Sequence, residues 1–428
     1  MNKKLSCQDI VEFVTDYVEN ALPGEERRRF ERHLTSCPRG PLMSIRGRRM
    51  HVNTDFLIIG AGMTGDMAAK GIRENDPKGS ISLIGAEPHP PYKRPHLSKK
   101  LWQGGAEEKI WPMPADHVDL RTGRRIIALD LDAHTATDDR GDEYQWQKLL
   151  LTTGARPREI PESEGVIYFR TLDDYRVLRA IADQGRHVAV IGGGFIGSEL
   201  AAGLVSVGAR VTMLLSESGI GFRLFPKDLS DFVTGYYRER GVDVLTDQKV
   251  VVAKDGIVET AQGTTLEADA VVAGLGVIPN TELAEAAGLE VPDGIVVDEY
   301  GRVPGHEDVF AAGDVARFPV AALGTTLRIE HEDHANTHGR IVGANMAGAE
   351  TPYDHLPFFY SDLFDLGYEA VGLLDSRLET AADWQVPLRR GVVRYLEDGR
   401  VRGVLLWNVW DKVDAARELI RAGEGTLV

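Results

Sequence analysis

Gly60, Gly62 and Gly65 fall on the spacing G-x-G-x-x-G, directly after the apolar run Phe56–Ile59. In that arrangement the first glycine makes a tight turn and the second lets a pyrophosphate approach the backbone. The third lets the following helix pack close to the strand. The helix expected through Met67–Ile72 points its positive N-terminus at the phosphates. A second strand, Ser80–Ile84, ends near Glu87, about twenty residues past the last glycine, where an acid binds a ribose diol. The same device recurs later. Gly192, Gly194 and Gly197 keep the spacing after His187–Ile191, Ser198–Ala202 opens a helix, and Arg210–Leu215 is the next strand, with Glu217 as its acid. Two such folds in one chain argue for two nucleotides that meet. An acid at the ribose favours NAD over NADP; Arg223 is close enough to receive a 2′-phosphate instead.

Other chemistry-bearing residues lie around these turns. Arg94 and Lys99 stand just beyond the first nucleotide site, where cations face phosphate or flavin, although either alone also reads as a surface residue. Two X-Pro steps in Pro90–Trp102 force extended backbone before a short helix. Leu149–Pro157 reads as a strand ending in a glycine turn, a second backbone approach to the first nucleotide. Asp269–Asn280 closes the second fold, and Asp308–Asp314 returns to the first as a short apolar strand followed by Gly-Asp. Asp314 could hold a ribityl hydroxyl or simply cap a helix. Glu330–Ala335 opens a helix with two histidines and three acids, but adjacent helix residues face apart, so no metal is expected there.

The chain has 428 residues, enough for two or three domains, with a net charge of −16. That balance argues against nucleic acid or an anionic membrane as partner. No apolar run approaches the length of a membrane span. The start, Met1–Cys7, has two lysines but no apolar region behind them, so it does not read as a secretion signal. The only cysteines are Cys7 and Cys37, which suits a reducing cytoplasm and excludes a C-x-x-C redox pair.

The expected architecture is α/β: two Rossmann-like dinucleotide-binding domains, a C-terminal α/β domain and a small N-terminal helical module. Residues 1–40 form the module and 41–51 a linker. Residues 52–165 with 281–356 form the first dinucleotide domain, 166–280 the second, and 357–428 the C-terminal domain. In that last part strands are expected at Tyr368–Leu373, Gly391–Leu396 and Val401–Trp407, with a hairpin turn at Glu397–Arg400. A helix from Lys412 to Ala422 stops at Gly423. Short strands with a turn at Asp138–Gly141 are expected within Gly123–Lys148.

Two resemblances add to this reading. Residues 1–40, with Cys7 ahead of two helices and His33 and Cys37 four apart near the end, resemble the zinc-binding module of anti-sigma factors. Cys7, His33 and Cys37 are the implied ligands. Gly40 stands where that family has its fourth, a cysteine, and structural zinc sites are normally closed by four ligands. A metal-free helical hairpin is the alternative. From about residue 54 to 424 the chain resembles the apoptosis-inducing factor family of flavoprotein NADH oxidoreductases, related to ferredoxin reductases with the glutathione-reductase fold. The resemblance is carried by YKRPHLSKKLW at Tyr92–Trp102, the fingerprint Gly192–Glu199, RIEHEDH at Arg328–His334, FYSDL at Phe359–Leu363 with Gly367–Glu369, and VLLWN at Val404–Asn408.

The resemblance implies FAD on Gly60, Gly62, Gly65, Glu87, Arg94, Lys99, Arg170, Asp314 and His331. It implies NADH on Gly192, Gly194, Phe195, Gly197, Glu199, Glu217 and Glu330, with Lys99 paired to Glu199 beside the flavin ring. Tyr360 replaces the family's tryptophan against the nicotinamide, and Glu332 replaces its second histidine. A mitochondrial leader and DNA binding are not expected. By the same resemblance, hydride passes from NADH to FAD, and the protein's share is position and field. With no dithiol, electrons leave for an iron–sulfur protein, a quinone or another small acceptor; a homodimer is left open. The other functional reading is a redox-sensing interaction protein with slow turnover, whose N-terminal module engages a regulator.

Overall fold

The computed structural model describes residues 50–424. Residues from Asn53 to Asp139 and from Tyr144 to Glu424 belong to one compact unit. Of the second unit, only residues 50–52 and 140–143 are described. There Met50 N–H donates to Asp142 Oδ1 at 3.0 Å, and the Met50 carbonyl accepts from Glu143 N–H at 2.9 Å.

The first sheet has the strand order Arg302–Val303, His306–Ala311, Glu143–Leu151, His51–Ile59, Ile81–Ile84, Val118–Arg121, with Ile126–Asp130 and Thr135–Asp138 paired off its path. Phe56–Ile59 runs parallel to Ile81–Ile84, residue for residue. Phe56, Ile58, Leu83, Leu150 and Phe310 share a core with Ile72, Val342 and Met346. These last three come from two helices, Met63–Asn75 and Glu332–Met346, which cross at very short range. A Cβ on Gly71 would lie 2.0 Å from the Arg340 carbonyl oxygen, and one on Gly343 would lie 2.1 Å from that of Ala68. Glycine at the crossing lets the second helix seat on the first, which fixes where His331 and Glu332 enter the site.

The second sheet is all parallel, in the order Val242–Leu245, Arg210–Leu214, His187–Ile191, Ala270–Ala273, Val166–Tyr168. Its middle strand is buried at every residue, as a parallel strand covered on both faces must be. The helix Phe195–Ser206 follows that strand. The third sheet is antiparallel, in the order Phe358–Leu363, Leu366–Gly372, Arg400–Trp407, Arg390–Glu397, Glu379–Val386. Asp398 and Gly399 both have positive φ in its tight hairpin. The helix Val413–Ala422 packs Ala416, Leu419 and Ile420 inward and stops at Gly423, whose φ is 78°.

Several strands lie outside the sequence expectation, and three of them show why. Phe358–Leu363 buries Phe359, Ser361 and Leu363, and the buried serine breaks its apolar alternation. Glu379–Val386 is an edge strand with mostly exposed residues and has no apolar face to read. Val118–Arg121 carries two charges in four residues. The first helix begins at Met63, four residues before the expected Met67, because the glycine turn itself supplies its first turn. Among the described residues no helix is long and apolar enough to cross a membrane.

Candidate functional site

The two glycine turns share one stereochemistry. Gly60 has φ +119°, and a Cβ there would sit 2.0 Å from the Thr152 carbonyl oxygen; Gly192 has φ +105°, with a Cβ 2.5 Å from that of Gly274. The third glycines face the first: a Cβ on Gly65 would lie 2.1 Å from Gly60 O, and one on Gly197 would lie 2.0 Å from Gly192 O. The middle glycines differ. A Cβ on Gly62 or Gly194 would meet nothing within 4 Å. Both middle glycines open onto one cleft of about 1320 Å³. Outer glycines forced by backbone contact, with a middle one bare to a large cleft, are what a pyrophosphate cradle requires. The cleft is larger than the roughly 300–1,000 Å³ of an ordinary ligand pocket. The residues therefore fit a flavin dinucleotide with a second nucleotide against it.

Around the first turn the charged groups are held in pairs. Glu87 accepts from Arg94 Nη2 at 2.7 Å on one oxygen and from Tyr92 Oη at 2.7 Å on the other. Burial pushes the Glu87 carboxyl up, but Arg94, Tyr92 and Arg170 outweigh it and hold it below its ordinary value. Arg170 pairs with Asp314 at 2.8 Å. Asp314 sits in a 3-10 turn, Gly313–Val315, at the end of the strand His306–Ala311.

The pair at the centre is Lys99 and Glu199. Lys99 follows the 3-10 turn Arg94–Leu97, and Glu199 lies in the first turns of Phe195–Ser206. Glu199 is 3 % exposed. One of its oxygens accepts from Lys99 Nζ at 2.7 Å and from Ser361 Oγ at 2.6 Å; the other accepts from Ser98 Oγ at 2.5 Å. A buried charge persists only when it is paired and hydrogen-bonded, and this carboxylate is both. Lys99 Nζ also stands 5.0 Å from the ring centroid of Tyr360, whose hydroxyl donates to Glu332 at 3.0 Å. His331 stacks on Phe359 at 4.3 Å, and Phe195 meets it edge-on at 6.4 Å. Burial lowers the His331 pKa to about 4 against the pull of Asp314 and Asp333, so the ring is neutral at pH 7.

Gly60, Gly62, Glu87, Arg94, Lys99, Arg170, Gly194, Phe195, Glu199, Asp314, Glu330, His331 and Tyr360 all line the one cleft. Gly65, Gly192 and Gly197 lie behind its wall, at the turns' own contacts. Glu217 is outside the cleft lining, where Arg223 Nη2 bonds it at 2.7 Å. Glu330 pairs with Arg328 at 2.5 Å; burial raises its carboxyl and Arg328 opposes that. Sequence reasoning missed Ser98 and Ser361 as partners of Glu199. Ser98 adjoins Lys99, a sufficient signal, whereas Ser361 is known only once its strand is placed. His334, of the helix-opening cluster, faces a buried ring stack and bonds Tyr353 through Nδ1 at 2.9 Å. Among the described residues no group of three or more His, Cys, Asp or Glu is arranged to hold a metal. Cys7, His33 and Cys37 lie outside the described residues.

The sequence profile of the pyridine nucleotide-disulphide oxidoreductase family matches residues 54–339. Residues 342–388 match the C-terminal region of mitochondrion-associated apoptosis-inducing factor, and residues 7–39 match a putative zinc-finger family. The ferredoxin–NAD(+) reductase component of the anthranilate 1,2-dioxygenase system of Burkholderia cepacia is 36% identical, over 86% of this chain and 94% of its own length. Apoptosis-inducing factor 1 of Dictyostelium discoideum is 32% identical, over 85% of this chain and 78% of its own length. The reductase in the covalent putidaredoxin reductase–putidaredoxin complex superposes with a TM-score of 0.81 at 30% identity, covering 87% of this chain and 94% of that one. The chain therefore belongs to the pyridine nucleotide-disulphide oxidoreductase family, as an NADH-dependent flavoprotein oxidoreductase.

Proposed function

We propose that this protein passes electrons from NADH, through bound FAD, to a ferredoxin-type iron–sulfur protein in a reducing cytoplasm. The observation that carries this is the single cleft onto which both glycine turns open, with Lys99 and Glu199 between them. FAD is assigned to residues 52–165 with 281–356, NADH to 166–280, and the contact with the acceptor to the side bordered by 357–428. When bound, the flavin supplies the exchange between two-electron and one-electron chemistry.

The chain's own groups do the rest. Gly62 and Gly194 admit phosphate to the backbone, Arg170–Asp314 and Arg94–Glu87 orient polar groups of the first nucleotide, and Lys99 supplies positive charge where the ring becomes negative. Glu199 fixes Lys99, and Ser98 and Ser361 fix Glu199. Absence of a C-x-x-C pair leaves no dithiol relay, which supports a direct exit of electrons to the acceptor. The whole chain is acidic, but exposed Lys93 and Lys100 flank the Lys99 turn. These exposed lysines at the mouth suit an acidic acceptor.

The purified protein is expected to be yellow, to keep its flavin through gel filtration, and to be bleached by NADH without oxygen. Adding an oxidised [2Fe–2S] ferredoxin should restore the yellow colour within seconds. A bleached form that survives for hours with every one-electron acceptor would replace this reading by the second one. That reading is an NADH-sensing interaction protein, favoured by the zinc-finger match at residues 7–39.

The N-terminal module gives its own expected result. Zinc on Cys7, His33 and Cys37 alone is weakly held and removed by a mild chelator, and Gly40→Cys tightens it by restoring a fourth thiolate. Metal analysis of both proteins checks this; no zinc in either would leave a helical module without metal. Flavin reduction by NADH is expected to be the same with and without the metal.

A further inference from the structure

The acid at the second nucleotide's ribose is not free. Glu217 follows the strand Arg210–Leu214 and accepts from Arg223 twice on Oε1, from Nε at 3.1 Å and from Nη2 at 2.7 Å. Its Oε2 accepts from Ser216 Oγ at 2.7 Å. A carboxylate offers about four acceptor positions, so about one remains for the two hydroxyls of a ribose. The segment that carries Arg223 is built in rather than draped. Gly221 N–H donates to the carbonyl of Gly193, inside the second glycine turn, at 2.9 Å. Leu224 and Phe225 N–H both close onto the Gly221 carbonyl, the Phe225 ring is buried, and Ser376 N–H holds the Arg223 carbonyl at 3.0 Å. The backbone is thus pinned beside the ribose site while the guanidinium side chain remains 82 % exposed.

A lone carboxylate rejects a 2′-phosphate by repulsion. Here the repulsion is opposed by a guanidinium whose Nη1 makes no hydrogen bond to Glu217, with a serine hydroxyl beside it. A phosphate on the 2′-oxygen takes Arg223 in a charge-assisted fork and leaves Glu217 on Ser216. We propose that Arg223 is a specificity-determining residue that makes this site accept 2′-phosphorylated as well as plain adenine nucleotides, so that NADPH is a secondary electron donor. The inference rests on the assignment of the second glycine turn to the nicotinamide nucleotide.

The test is calorimetric titration of the FAD-loaded full chain with AMP and with adenosine 2′,5′-bisphosphate, alongside flavin reduction by NADH and NADPH. In the unaltered protein the two donors are expected to differ by less than about a hundredfold in second-order rate constant. Arg223→Ala weakens the bisphosphate about tenfold or more, the loss of one hydrogen-bonded charge, and changes AMP less than about threefold. Arg223→Lys, which keeps the charge without the fork, falls between. Glu217→Gln tightens the bisphosphate and brings NADPH level with NADH or ahead of it. The proposal is overturned if Arg223→Ala weakens AMP and the bisphosphate alike or changes neither while NADH still reduces the flavin. Failure of AMP to bind, together with failure of NADH to reduce the flavin, would instead reject the nucleotide assignment itself.

Discussion

Lys99→Ala slows reduction of the bound flavin by NADH by about 10²-fold, the usual cost of removing one preorganised electrostatic partner from a site where charge develops. NADH affinity changes far less, because the ammonium acts on charge that appears only as hydride arrives. The geometry gives this effect a partner. Lys99 Nζ stands 2.7 Å from Glu199, which is itself held by Ser98 and Ser361. Glu199→Gln keeps the volume but removes the charge that fixes Lys99 and one of the two oxygens that accept from the serines, and should slow reduction nearly as much. The double variant should lose little more than either single one, since groups that act as a unit are non-additive. Stopped-flow bleaching of the flavin at several NADH concentrations separates rate from affinity. Strict additivity of the two losses would reject the pairing, and a change confined to NADH affinity would make Lys99 a binding residue only. Ser361→Ala is the milder companion: it removes one donor from the carboxylate, and the loss should be nearer tenfold.

The backbone part of this site was legible in the sequence because it depends on glycine, and glycine at fixed spacing has few other uses. Gly60 and Gly192 have positive φ against a neighbouring carbonyl, and no side chain can stand in for them. Glu87 and Glu217 were legible by distance along the chain, and Glu199 and Glu330 only through the family resemblance. What spacing could not give was the state of those acids. Glu87, Glu199, Glu217 and Glu330 each turn out to be paired with a cation; Arg94, Lys99 and Arg223 had been singled out as cofactor cations, Arg328 had not, and only the Lys99–Glu199 pair was expected, by resemblance. Ser361 was hidden for a different reason. Its strand alternates inward and outward residues correctly, but one inward position is a hydroxyl serving a carboxylate on another element, so the apolar signal fails where function begins. The glycine crossing of Met63–Asn75 with Glu332–Met346 was equally silent, since isolated helical glycines report only that something comes close.

That second helix carries the other large expected effect. Lowering the pH from 7 to 5 should destabilise the folded chain through His334 and His338, which are fully buried. His334 stacks on Phe318 at 4.5 Å and accepts or donates at Tyr353 Oη; His338 accepts the Gly313 N–H at Nδ1, 3.3 Å away, and stacks near Tyr353 at 4.4 Å. Their Nε2 atoms have no protein hydrogen-bond partner. Burial lowers the His338 pKa to about 3; burial, with His338 beside it, holds His334 well below its ordinary value, against Asp314. Both rings are therefore neutral when folded, whereas in the unfolded chain they take up protons below about pH 6.5. The unfolded state binds more protons throughout that window, so stability falls as pH drops below about 6.5 and stops falling only near the folded values. At pH 5 the cost through His338 is about 2 kcal/mol, and His334 adds to it in the same direction. Asp333, whose carboxyl is raised by burial but brought below its ordinary value by His355, the Phe358 N–H and Arg417, loses its contribution only at lower pH, below about 4. The two windows are thus separable. Denaturant midpoints of the FAD-loaded protein at pH 7 and pH 5, followed by flavin release, measure the drop. His338→Asn offers an acceptor to Gly313 without a group that titrates in this range, and should remove the share of His338, about 2 kcal/mol, leaving what His334 and His331 contribute. An unchanged pH dependence in that variant would assign the acid sensitivity elsewhere in the chain.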